Sequence, residues 1–289
     1  MMLRDVVERA TLLADRVLPP PEGVTVLIYH RVGGGSDSAV DLPPEQFARQ
    51  LDHLLEHHAV ISLDAAVDRL RTDDGWAASH ATQVGADGEV AEGAHAGGGS
   101  AVVLTFDDGT DDFGEHVVPA VVERGVPVTL YAATSFIDRG ERFPWGARPA
   151  DWGRLREAHS TGLVQIESHT HTHRLLDRLD AEAVGDDLDH SIDLIAEHIG
   201  TAPRHFAYPK AVPGSPEAEI AVRRRFDSAA LARSRVNRPG VADVHRLWRT
   251  PVKRSDSHDV FAAKAAGGMR LDGELRALIA RLRYRATER

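Results

Sequence analysis

The chain reads as an α/β protein whose parallel strands are joined by helices, an arrangement that can close into a (β/α) barrel. Three observations predict this. Apolar strand-like runs alternate with helical patterns from residue 102 to residue 231, and such alternation implies parallel strands with right-handed crossovers. Chemistry-bearing residues stand at the C-terminal ends of three of those runs: Thr105 to Asp108, His169 to His173, and Tyr208 to Lys210. That is the end at which such barrels carry their sites. Finally, 289 residues suffice to bury a sizeable core, as one large domain or two small ones.

At the N-terminus, Leu3, Val6, Val7, Ala10, Leu13, Ala14 and Val17 lie at helical spacing with charged residues between them. This predicts an amphipathic surface helix without the uninterrupted apolar stretch of a signal peptide. Pro19, Pro20 and Pro21 stop it, so residues 1–23 form a helix and Pro-rich linker. Residues 24–29 are apolar and β-branched, a buried strand with His30 at its end. Pro43 and Pro44 open a helix with Phe47, Leu51, Leu54 and Leu55 on one face. Residues 60–63 predict a short strand and 65–70 a helix. From about 72 to 100 the composition turns to Gly, Ala and small polar residues without periodicity. So long a structureless loop is uncommon inside a compact domain, which predicts a flexible insertion. His80 and His95, within it, are expected to be solvated.

The alternation then runs strand 102–106, helix 113–122, strand 126–132, helix 151–159 and strand 163–168. A helix follows with Val184, Leu188, Ile192, Ile195 and Ile199 on one face, closed by Gly200. Strand 205–208, helix 216–225 and strand 228–231 complete the series. Leu275, Leu278, Ile279 and Leu282 predict a last amphipathic helix within 267–289, its arginines a solvated face. The barrel itself is expected over 24–266.

The apolar share of 42% and charged share of 27% are those of an ordinary soluble domain. A net charge of -10 argues against a nucleic-acid partner. No run approaches the ~20 apolar residues of a transmembrane segment. With no cysteine, any metal must be held by His, Asp or Glu.

The centre of the sequence is Asp107-Asp108-Gly109 after one strand and His169 to His173 after another. Adjacent residues of a strand point to opposite faces, but Gly109 permits a turn, so one carboxylate could bind a metal while the other takes a proton from water. Asp-Asp-Gly alone reads at least as well as an acidic turn, and the glycine and glutamate of a calcium loop are misplaced. His169 and His173 have the i, i+4 spacing of two ligands to one metal. Two such histidines, with a second strand-end carboxylate pair, outweigh a merely His-rich surface turn.

Thr105-Phe106-Asp107-Asp108-Gly109 followed by His169-Thr170-x-x-His173 resembles the first two motifs of the polysaccharide deacetylase family, the NodB-homology domain of carbohydrate esterase family 4. Residues 28–32 resemble the opening strand of many members, Phe206-Ala207-Tyr208-Pro209 the third motif of one branch, and residues 247–252 that branch's late strand. The resemblance implies a distorted or incomplete (β/α) barrel. It implies one divalent metal, zinc first and cobalt or nickel as alternatives, ligated by Asp108, His169 and His173, with Asp107 as general base and metal-activated water as nucleophile. Tyr208, Pro209, Lys210 and Arg249 would bind substrate, a backbone N–H near Lys210 meeting the oxyanion. The implied substrate is a carbohydrate bearing N-acetyl groups.

Three departures stand out. Ala207 occupies the place where an arginine often pairs with the catalytic aspartate. Glu167 stands where glycine is common, and the late motif that supplies the general acid is not evident. His30 is the candidate acid, and His258 a weaker one. The rival readings are an O-acetyl esterase and a non-catalytic carbohydrate-binding protein on the same fold. Without an export signal, a cytoplasmic or membrane-peripheral location is expected.

Overall fold

The computed structural model describes residues 11–12, 15, 20–72, 82–84, 90–92 and 100–270. In chain order the strands of its main sheet are β1 (Val24–Tyr29), β2 (Ala59–Val60), β3 (Ala101–Phe106), β4 (Val128–Ala132), β5 (Val164–Ser168), β6 (His205–Ala207), β7 (Ser228–Ala232) and β8 (Leu247–Pro251). Seven of them close a parallel barrel in the order β1-β8-β7-β6-β5-β4-β3, with β3 returning to β1. The remaining strand, β2, lies against Ala101 and Val102 at the start of β3, whereas β4 pairs with Leu104, Thr105 and Phe106 at its end. The expected distorted barrel is therefore a ring of seven strands with a wedge at its N-terminal end.

Both faces of these strands are buried, so they read as continuous apolar runs. Val24, Val26, Val103, Tyr131, Ala207, Ala230 and Leu247 pack inward with Leu63, Ala66, Val67 and Leu70. Those last four come from one face of helix α2 (Leu63–Arg71), which plugs the bottom of the barrel. Leu27, Tyr29, Leu104, Phe106 and Leu130 face outward to the helical layer. That layer contains α1 (Pro44–His57), α3 (Val118–Arg124), α4 (Thr134–Arg139), α5 (Trp152–Ser160), α6 (Ala181–Ile199), α7 (Pro216–Arg225) and α8 (His258–Ala265).

Several boundaries differ from the sequence reading. The strand expected at 60–63 ends at Val60, because Ser62 accepts a hydrogen bond from the Ala65 N–H and starts α2. The helix expected from 113 opens as a π-turn, Phe113–Val117, before α3. Helices α4 and α8 were not foreseen. Within 72–100, Thr82–Val84 pairs antiparallel with Val90–Glu92; the rest of the expected insertion lies outside the described residues. So do the C-terminal helix and most of the N-terminal one. No helix among the described residues is long and apolar enough to cross a membrane.

Candidate metal centre and active site

The site forms at the C-terminal mouth of the barrel. The Asp107 N–H still donates to Tyr29 O at 3.1 Å, as a strand residue would. Asp108 and Gly109 then take left-handed conformations, φ 76° and 88°. The turn is fixed from outside, with Ala133 N donating to Asp108 O at 3.0 Å and Ala150 N to Gly109 O at 2.9 Å. A Cβ on Gly109 would stand 3.0 Å from Ile137 Cδ1, a close contact, and its left-handed φ favours glycine as well. This turn brings both carboxylates to the same pocket.

The histidine segment is a tight irregular turn, not a helix. His169 N donates to Ala132 O at 3.0 Å, and Ser135 N to His171 O at 2.9 Å. Asp187 on α6 accepts from the N–H groups of His171 and Thr172 at 2.9 and 3.0 Å. Thr170 and His173 are left-handed, φ 70° and 56°, and His173 N donates to Thr170 Oγ1 at 2.9 Å. By this route the rings of His169 and His173 come to 4.9 Å. His171 is turned elsewhere, stacked on His190 at 4.1 Å with its Nδ1 2.9 Å from Thr134 Oγ1.

One ligand atom from each of Asp108, His169 and His173 lies within 4.8 Å of the others. Asp108 Oδ1 is 3.3 Å from His173 Nε2 and 3.8 Å from His169 Nε2. His169 Nδ1 donates to Ala207 O at 2.7 Å, which fixes the tautomer and leaves Nε2 facing the cluster. Burial pushes the His169 imidazole down to about 4, against the upward pull of Asp107, so the neutral, ligating form prevails.

Asp107 is engaged differently. Arg249 on β8 grips it with two hydrogen bonds, Nη1 to Oδ1 at 2.6 Å and Nη2 to Oδ2 at 2.9 Å. Burial works to raise the Asp107 pKa, but Arg249 and then His169 outweigh it and hold the carboxyl at about 2. Arg249 also donates to Leu231 O and Thr105 Oγ1, lies 5.1 Å over the Tyr131 ring and is wholly buried. It was expected to touch substrate; with its donors spent inside the barrel it holds Asp107 instead. It thereby makes to Asp107 the pairing that Ala207 cannot.

Tyr208 and Pro209 are buried as well. The Tyr208 ring packs into the outer layer beside Phe206 at 5.0 Å, with Ala218 and Val222 of α7, and so is turned from the mouth where it was expected to meet substrate. Lys210 is exposed, and it and Ala211 are left-handed, φ 53° and 54°. His30 stands at the end of β1, close enough for its charge to lower the pKa of both Asp107 and Asp108. Its Nδ1 is buried without a hydrogen-bond partner. His258 starts α8 beside His53 of α1, their rings 5.0 Å apart, outside this cluster.

Two supporting roles were not anticipated. One is Asp187, whose place inside an amphipathic helix gave no sign that it clamps the histidine turn. The other is Glu167, which accepts from the N–H groups of Arg204 and His205 at 2.7 Å each and ties β6 to β5.

Comparison with known proteins adds a family match over part of the chain and a fold. The family model described as polysaccharide deacetylase matches residues 94–221, and the resemblance seen in the motifs holds over that stretch. No curated protein matches. Among solved structures, IcaB from Ammonifex degensii is 24% identical with a TM-score of 0.67, over 86% of this chain and 98% of that one. The Streptococcus pyogenes deacetylase PplD, solved with acetate, is 17% identical with a TM-score of 0.67, over 85% and 99%. A de-N-acetylase from Aggregatibacter actinomycetemcomitans is 17% identical with a TM-score of 0.64, over 83% and 99%. These likenesses confirm the barrel.

Proposed function

From the polysaccharide deacetylase match over residues 94–221, we propose that the protein hydrolyses acetyl groups from an N-acetylated sugar, within a polysaccharide, an oligosaccharide or a glycan precursor. The observation that carries this reading is the convergence of Asp108, His169 and His173 beside a separately ion-paired Asp107. The donor set fits a divalent metal. Two imidazoles and one carboxylate suit zinc, and cobalt or nickel less specifically. Three protein ligands leave a position open. A cation held there would polarise the acetyl carbonyl and lower the pKa of water.

The chain's own residues do the rest. Asp107 is the proton acceptor, and Arg249 keeps it ionised and immobile, with Oδ2 on the His169 side at 3.8 Å from Nε2. Proton transfer needs that positioning before it needs basicity. His30, with Nδ1 uncommitted, is the donor to the leaving amine. In the turn after β6 Pro209 has no N–H and Ala211 N donates to Tyr208 O at 2.9 Å, so the Lys210 N–H is the donor that meets the oxyanion.

Acetate release from N-acetylglucosamine oligomers and O-acetylated sugars tests this, with metal-stripped protein and after adding back zinc, cobalt or nickel. Metal-dependent release from the N-acetyl substrates is expected. Asp107→Asn should lose about a thousandfold in rate with metal content unchanged. An equally active D107N protein would remove Asp107 as the base. Release from the O-acetyl substrates alone would replace the N-acetyl reading with an esterase. No release from any of them, despite tight metal binding, would favour a carbohydrate-binding protein.

A further inference from the structure

Where α1 packs against α8 on the outside of the barrel, four histidines meet. His53 and His57 stand one turn apart at the end of α1, His58 follows as its C-cap, and His258 opens α8. His53 is the hub. Its ring centroid is 4.5 Å from that of His57, 5.0 Å from that of His258 and 5.8 Å from that of His58. Phe261 of α8 backs it at 5.9 Å. The candidate metal centre at the barrel mouth uses none of these residues.

Histidines that hold this fold together show it in their ring nitrogens. His169 Nδ1 is bonded to Ala207 O at 2.7 Å, His159 Nδ1 to Val164 O at 2.9 Å and His245 Nε2 to Phe226 O at 2.8 Å. Both nitrogens of His205 are engaged, with Ser228 Oγ at 2.9 Å and Asp64 Oδ1 at 3.0 Å. The rings of His53, His57, His58 and His258 make no hydrogen bond to any of the described residues. Packing of the two helices therefore gives them no polar partner, although a neutral imidazole carries one nitrogen lone pair ready to accept. Burial first, then the charges of His57 and His258, hold the His53 pKa below its usual value. A neutral imidazole with an uncommitted lone pair is a metal ligand.

The spacing suits a cation. Side chains at i and i+4 of a helix share a face, and two histidines so placed chelate one ion. His258 reaches the same hub from a second helix and can supply a third imidazole. Such donors suit zinc, nickel and copper, whereas magnesium and calcium take oxygen ligands. Glu56 Oε2, 3.7 Å from His57 Nε2, adds negative charge beside them. Unlike Asp108, His169 and His173, these nitrogens do not already stand together at ligand spacing. His57 and His258 are exposed, so their rings are free to turn onto an ion. The ordering this requires makes the site weaker than the one at the mouth.

We propose that His53, His57 and His258 form a second divalent-metal site, for zinc, nickel or copper, that bridges α1 and α8 on the outside of the barrel. This site does not depend on the deacetylase reading. Calorimetric titration of metal-stripped protein with zinc at neutral pH tests it. The double variant His53→Gln, His57→Gln should take up one zinc equivalent fewer than wild type. His258→Gln should keep that equivalent with affinity lowered about tenfold or more, and His173→Ala should retain it unchanged. Circular dichroism of each variant separates these losses from misfolding. A second readout needs no variant. Paramagnetic nickel titrated into wild type should broaden the ring resonances of His53, His57 and His258 in NMR spectra, and magnesium should leave them as they are. If the double variant binds as many zinc ions as wild type with the same affinities, or if nickel leaves those three rings sharp, the second site is overturned. If His258→Gln binds as tightly as wild type, the bridge between the two helices is overturned.

Discussion

Arg249 shows how one residue can be named from sequence and assigned the wrong task. Its type and its strand-end position suggest contact with a polar substrate, yet its guanidinium is buried against Asp107. The carboxylate and guanidinium stabilise one another only as a pair, so removing one leaves the other charged and desolvated. Arg249→Met should cost about 3–5 kcal/mol of stability by that mechanism and lower kcat, because Asp107 loses its orientation. Adding Asp107→Asn should recover part of the stability and none of the activity. Chemical denaturation of both variants checks this, and additive losses in the double variant would contradict the pairing. Sequence did single out Asp108, His169 and His173, which the fold brings together, since an Asp-Asp-Gly turn and two histidines four apart are local patterns. It did not show where a long arginine side chain ends, because that depends on strands far apart in the chain meeting in one ring.

At the scale of elements, the strands and long helices were legible because burial of both strand faces and one helix face leaves a periodic trace. Helix α4 was not, since six residues hold too little periodicity to register. The i, i+4 histidines were legible as a pair although the segment is not helical. Left-handed Thr170 and His173 and the Asp187 clamp reach the same convergence by another route. The end of α1 offers a test of element electrostatics. Burial foremost, then the neighbouring His53 and His57, lower the His58 pKa from 6.5 to about 4. The folded state therefore binds this proton less readily than the unfolded chain. Its contribution to stability is complete above about pH 6.5 and is lost as pH falls toward 4. His58→Gln should flatten that part of the decline, measured by denaturation midpoints between about pH 7 and 4.5. Identical slopes in both proteins would rule His58 out as the source.

At the scale of the whole molecule, the candidate metal ligands come from the ends of β3 and β5, and Asp107 is held from β8. A cation bound there ties β3 to β5 across β4, an arrangement present only in the folded sheet, so binding should stabilise the fold. At a thousandfold excess over Kd the gain is about 4 kcal/mol, on the order of 10 °C in Tm for a domain of this size. Calorimetric melting with and without zinc measures it. His173→Ala should abolish most of the zinc-dependent increment, and an undiminished increment would count against His173 as a ligand. The ring itself was foreseen from strand–helix alternation. Its seven-strand closure was not, because the wedge of β2 is two residues long and its pairing is set by distant Ala101 and Val102.

The floor of the barrel has a consequence for engineering. Thr72, where α2 ends, and Ala101, where β3 begins, both belong to the floor of the barrel, opposite the catalytic mouth. The Gly- and Ala-rich segment between them is rooted at the end of the barrel opposite Asp107, Asp108, His169 and His173. Chain can be lengthened, shortened or rewritten at that point while Asp107, Asp108, His169 and His173 stay where they are.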